Sequence, residues 1–166
     1  MESSRFRRVP AAPLALYETT VDASWLDYNG HMTEARFGEV FGYATDAFLR
    51  HVGLDADYLA GGHSAYTVEG HIRYLHEASA FEPLRVASQV LGSDEKRLHL
   101  FHELQHGRSG KTLATGEHLL LHVDTRRRHA APWREPVAGR VAAAAAAHAA
   151  LPAPDGAGRA VALARQ

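Results

Sequence analysis

The sequence contains no cysteine. That excludes a thiol nucleophile, a disulfide framework and a thiolate metal site, and it suits a reducing compartment. Neither sign of charge is in excess: 18 Lys and Arg face 19 Asp and Glu, for a formal net charge of −1. With no basic stripe, nucleic-acid binding is not expected. No apolar run approaches the roughly 20 residues that cross a bilayer. Met1 to Pro13 carries Arg5, Arg7 and Arg8 but no apolar h-region, so it does not read as a signal peptide. The expectation is a soluble, cytoplasmic protein without a membrane partner. Several chemical motifs are also missing. There is no glycine-rich phosphate loop after a strand, no Gly-x-Ser-x-Gly element and no His-Glu-x-x-His element. EF-hand spacing is absent too, so no metal site is expected.

What remains is a chain of 166 residues, long enough for one domain with a substantial core. Residues 1–13 read as a loose arm. Leu14 to Val21 reads as a strand. Thr33-Glu34 opens a helix in which Phe37, Val40, Phe41, Ala44, Phe48 and Val52 recur at helical spacing, and Gly53 stops it. Gly38 and Gly42 sit inside that helix at a propensity cost of about 1 kcal/mol each, which suggests close packing on a sheet. From His63 the period becomes two. Tyr66, Val68, Ile72 and Tyr74 are expected on one face, and Thr67, Glu69, His71 and Arg73 on the other. Leu84 to Leu91, Lys96 to Leu104 and Thr112 to Val123 follow as strands joined by short turns, hence antiparallel. One long helix against one antiparallel sheet is an α+β arrangement. After Thr125 come three arginines, a proline-rich stretch and an alanine run, Ala142 to Ala147, of helical propensity. The tail beyond Leu151 reads as poorly ordered.

The most informative stretch is Trp25-Leu-Asp27-Tyr28-Asn29-Gly-His31-Met32. A carboxylate, a carboxamide and an imidazole alternate in a loop just before a helix N-terminus, where free N–H groups and the helix dipole favour developing negative charge. That layout suits attack on a carbonyl, with N–H groups near Met32 and Thr33 holding the oxyanion. Asp and Asn also favour ordinary capped turns, so the loop alone carries only half the argument. Glu69, a carboxylate in a strongly patterned strand, adds weight if the sheet brings it to the loop. Trp25, Tyr28, Phe37, Phe41, Tyr43, Tyr66 and Tyr74 cluster around the loop and helix in sequence, and of these Trp25, Tyr28, Phe41, Tyr43 and Tyr66 are the candidate pocket aromatics. Glu34, Asp46 and Glu69 are the candidate charges for a cationic ligand. Arg73, Arg97 and Arg126 to Arg128 are candidates for phosphate contacts.

These features resemble the hotdog-fold acyl-CoA thioesterases of the 4-hydroxybenzoyl-CoA thioesterase-like superfamily, over roughly residues 14–125. The Asp27-x-Asn29-x-His31 element is similar to that of plant-type acyl-carrier-protein thioesterases, with Glu69 at the matching strand position. The narrower resemblance is to betainyl-CoA thioesterases of carnitine breakdown. It rests on Asp27-Tyr-Asn-Gly-His-Met-Thr-Glu34, Ala44-Thr-Asp-Ala47, Asp55-Ala-Asp-Tyr58, Asp94-Glu-Lys-Arg-Leu-His-Leu-Phe-His102 and Leu121-His-Val-Asp-Thr125. The resemblance implies a hotdog domain at 14–125, followed by an Ala/Pro-rich helix and tail at 126–166. It also implies a homodimer or higher oligomer with interfacial active sites, an acyl-CoA substrate and no cofactor. Either Asp27 or Glu69 would be nucleophile or general base, His31 a proton carrier, and Asn29 an orienting amide. Three alternatives remain: a hotdog thioesterase for another short acyl-CoA, a hotdog enoyl-CoA hydratase, disfavoured by the short Asp27-to-His31 spacing, and a non-catalytic binding module.

Overall fold

The computed structural model describes residues 10–163. Most of the expected loose arm, residues 1–9, lies outside them. The chain runs β1 (Leu14–Thr20), a 3₁₀ turn (Ala23–Trp25), α1 (Glu34–Val52) and α2 (Ala56–Ala60). Then come β2 (His63–Tyr74), β3 (Pro83–Ser93), β4 (Arg97–His106), β5 (Thr112–Asp124), β6 (His129–Ala130) and α3 (Val137–His148). The sheet order is β1-β3-β4-β5-β2, every pairing antiparallel, with the two-residue β6 added to β5. A curled antiparallel sheet around one long helix is the hotdog architecture expected from the sequence. Among the described residues, no helix is long and apolar enough to cross a membrane.

Helix α1 is amphipathic, and its buried residues are Phe37, Val40, Phe41, Ala44, Thr45, Phe48, Leu49 and Val52. It ends where Gly53 adopts φ 99° and its N–H returns to the Arg50 carbonyl, a conformation that favours glycine. One apolar cluster joins the C-terminal half of α1 to Leu98, Leu100 and Leu120. A second joins the N-terminal half to Val21, Leu84, Val86 and Leu104. Each fully buried Leu or Phe side chain stabilises such a core by roughly 1.5–3 kcal/mol. The helix, and with it the loop before it, is therefore fixed against the sheet along its whole length.

Four details differ from the sequence reading. Helix α3 begins five residues before the alanine run, and its buried residues Val137, Val141, Ala144 and His148 recur at helical spacing. Trp133, Val137, Val141 and Ala144 complete the first cluster, so the core continues past Thr125. Residues 152–158 lie along the protein instead of trailing off. Gln89 donates to the Pro152 carbonyl at 3.1 Å, and the Gly158 N–H to Glu117 Oε2 at 2.8 Å. The glycines of α1 are not closely packed in the protomer. A Cβ at Gly38 would meet only Ile72 Cδ1, at 3.9 Å, and one at Gly42 would meet nothing within 4 Å. Finally, β2 changes phase. Thr67 pairs with Leu120 and Glu69 with Leu119, so Val68 is an inserted bulge residue. Thr67 thereby shares the helix-facing side with Ile72 and Tyr74, whereas Tyr66 shares the outer face with Glu69, His71 and Arg73.

Candidate active site

The loop before α1 is folded by its own polar groups. Leu26 bridges to Met32, and the Asp27 N–H donates to the His31 carbonyl at 2.8 Å. Gly30, at φ 79°, turns the chain back, and its N–H reaches the Asp27 carbonyl at 3.0 Å. Asp27 Oδ1 accepts the Asn29 N–H at 2.8 Å and the His31 N–H at 3.3 Å. The capped turn and the chemical constellation are thus one structure: the same carboxylate shapes the loop and is displayed by it. Partial burial pushes the Asp27 pKa up. The Asn29 and His31 hydrogen bonds and the His31 charge outweigh burial and hold it below the ordinary carboxylate range. Asp27 is therefore ionised at neutral pH.

Asp27, Asn29 and His31 line one cavity of about 340 Å³, together with Glu34, Tyr74 and Glu77. His31 Nε2 is 3.2 Å from Glu77 Oε2. Such a contact fixes the orientation of the ring. Sequence reading missed Glu77 altogether. It lies in the irregular stretch after β2, and only the tertiary fold carries that stretch to His31, through the bridge from His31 to Ser79.

The remaining predicted residues fall elsewhere. Glu69 lines a different cavity, of about 380 Å³, with His99, Glu117 and Arg159, so one protomer does not bring it together with Asp27. Met32 lines the Asp27 cavity, but it is buried and its N–H donates to the Ala78 carbonyl at 2.8 Å. The Thr33 N–H donates to the Trp25 carbonyl at 2.9 Å. Neither N–H is left for an oxyanion, which corrects the sequence expectation. Thr33 supplies no side-chain cap to α1. The N–H groups of Glu34 and Ala35, at the first turn, are then the donors beside the loop. Phe41 is fully buried. Trp25 is covered by the Arg36 guanidinium, 5.8 Å from its ring centroid. Tyr28 is 97% exposed at the loop tip. Tyr43 and Asp46 line a third cavity, beside the middle of α1. Tyr66 is half exposed on β2. Among the candidate phosphate ligands, Arg73 is tied to Asp155, Arg97 to Asp94 and Arg126 to the Ala60 carbonyl. Among the described residues, no group of three or more His, Asp or Glu side chains could hold a metal ion.

Comparison with known proteins points one way. Residues 21–141 match the thioesterase-like superfamily. A betainyl-CoA thioesterase of Pseudomonas aeruginosa is 46% identical over 90% of this chain and 95% of its own length. An L-carnitine dehydrogenase/betainyl-CoA thioesterase of Agrobacterium fabrum is 59% identical over 69% of this chain, which spans only 23% of that larger protein. The chain likewise spans 30% of the similarly named protein of Rhizobium meliloti, at 46% identity. Among solved structures, a candidate thioesterase of Pseudomonas putida superposes with a TM-score of 0.79 at 37% identity, over 92% of this chain and 98% of that one. A Staphylococcus aureus protein crystallised with CoA shares the fold, with a TM-score of 0.84 at 23% identity over 92% of this chain and 98% of its own.

Proposed function

Because the chain belongs to the thioesterase-like superfamily, we propose that it hydrolyses betainyl-CoA to betaine and free CoA, as a step of carnitine breakdown. The observation that carries this reading is the ionised Asp27 beside His31, in one cavity at the N-terminus of α1. Asp27 takes a proton from water as the water oxygen bonds to the thioester carbonyl carbon. Negative charge then collects on the carbonyl oxygen, where the first-turn N–H groups and the helix dipole stabilise it. The C–S bond breaks, and His31 delivers a proton to the departing CoA sulfur. Asn29 orients the carbonyl or the water, and Glu77 orients His31. Residue types in the cavity support the acyl group: among the described residues, Asp27, Glu34 and Glu77 line it, and no Lys or Arg does. A cationic acyl chain fits those walls better than a carboxylated one.

The working unit is proposed to be at least a dimer. Strand β2 is a twelve-residue edge, and Tyr66 and Val68 stand 53% and 54% exposed on it. Edges of that length are usually paired or covered, and a second copy running alongside would do this. A cysteine-free chain acting on CoA thioesters fits the cytoplasm. The test is an acyl-CoA panel followed by free-thiol release and by enoyl absorbance. Thiol release from betainyl-CoA supports the reading. Loss of enoyl absorbance without thiol release would replace it with a hydratase, and silence on the whole panel would leave a binding module.

A further inference from the structure

One methylene separates the carbonyl carbon of a betainyl thioester from its trimethylammonium nitrogen. A cavity that holds the carbonyl at Asp27 must therefore hold a permanent positive charge beside it. That charge has no N–H to donate, so its recognition falls to aromatic faces and carboxylates. None of the five candidate pocket aromatics singled out from the sequence serves, and Tyr28 stands exposed at the loop tip. Trp25 is already covered by Arg36, Phe41 is buried, and Tyr43 and Tyr66 lie away from this cavity.

Tyr74 does line it, and remains 47% exposed. Its ring is held edge-on by Phe37, with centroids 5.4 Å apart at 90°. Of the three carboxylates in the cavity, Asp27 holds the loop N–H groups through Oδ1 and is the proposed base, and Glu77 is paired with His31. The Glu34 side chain forms no hydrogen bond or ion pair among the described residues, yet its charge is felt at Tyr74. Burial and then Glu34 push the Tyr74 hydroxyl pKa above its ordinary value. The nearest arginine in sequence, Arg36, is bound to Glu39 and lies over Trp25.

We infer that Tyr74 and Glu34 form the subsite that reads the positive charge of the acyl group, the ring by a cation–π contact and the carboxylate as counter-charge. Phe37 sets the ring angle from the core side. This inference rests on reading the Asp27 cavity as the acyl site, so its test is a binding measurement independent of turnover. The probes are two CoA analogues in which a methylene replaces the thioester sulfur, one carrying the betainyl group and one the neutral 3,3-dimethylbutyryl group. Calorimetric titration of the whole chain should show at least about a tenfold preference for the charged analogue. Glu34→Gln and Tyr74→Leu should each shrink that preference about fivefold or more, while Tyr74→Phe, which keeps the ring, should retain it. Glu34 is exposed, so its variant tests the subsite even if Tyr74→Leu fails to fold. A wild-type preference near one, or a preference unchanged in Glu34→Gln, would overturn the subsite. Tenfold preference without thiol release would reject the hydrolase and support the subsite; thiol release without charge preference would do the reverse.

Discussion

His102 offers a test of how the helix is held on the sheet. It is fully buried, and its ring lies between two hydroxyls: Ser88 Oγ is 2.8 Å from Nδ1 and Thr45 Oγ1 is 2.9 Å from Nε2. Ser88 belongs to β3 and Thr45 to α1, so the imidazole joins the two layers. Burial, with His118 nearby adding to it, pushes the His102 pKa from 6.5 down to about 3. The folded protein therefore keeps the ring neutral, while the unfolded chain takes up a proton as pH falls below 6.5. His102 contributes stability that is present above pH 6.5 and lost as pH falls toward 3. One pKa unit corresponds to about 1.4 kcal/mol, so His102 alone should remove about 2 kcal/mol between pH 7 and pH 5. The assay is urea unfolding of the wild type and His102→Gln at both pH values and one protein concentration. Glutamine can still bond both hydroxyls but does not titrate, and the other buried histidines act in both proteins alike. The wild type should lose about 2 kcal/mol more than the variant. Equal losses would refute the argument.

Two glycines make a contrasting pair. A Cβ at Gly116 would meet His118 Nε2 at 2.8 Å and Phe41 Cδ2 at 2.9 Å, so Gly116→Ala should destabilise by about 1–3 kcal/mol in urea unfolding. Gly42→Ala meets nothing within 4 Å and should stabilise by up to about 1 kcal/mol through helix propensity; a loss would mean that a second copy occupies that space. Glu77→Gln removes the partner of His31 and should lower kcat by about tenfold or less with little change in KM, and an unchanged kcat would exclude Glu77 from the mechanism. Size-exclusion chromatography with light scattering should report at least a dimer, and a fully active monomer would remove the edge-pairing proposal.

Helix α1 and strands β1 to β5 were legible because period 3.6 and period 2 are local signals, and Gly53 marks the helix end by a conformation that a side chain disfavours. The Asp27 loop was legible for the same reason: the hydrogen bonds of the Asp27 carboxylate span at most four residues. What the sequence hid depends on one extra residue or on distant contacts. The Val68 bulge cannot be seen from alternation, yet it decides that Tyr66 and Glu69 share the outer face. The alanine run drew attention to propensity and away from Val137 and Val141, which set where α3 begins and what it buries. Glu77 reaches the Asp27 loop only through the turn after β2, Tyr74 lines the same cavity from the end of β2, and Met32 and Thr33 lost their oxyanion role to carbonyls at Ala78 and Trp25.

The central claim is that Asp27 carries thioester hydrolysis. Its most direct test is the rate of free-thiol release from betainyl-CoA by the wild type, Asp27→Asn and Glu69→Gln. The asparagine oxygen can still accept the Asn29 and His31 N–H groups, so the loop should persist while the charge is lost. Asp27→Asn should reduce kcat/KM by about 100-fold or more, and Glu69→Gln should retain most of it. Near-normal turnover in Asp27→Asn, with collapse in Glu69→Gln, would contradict the account and move the chemistry to β2.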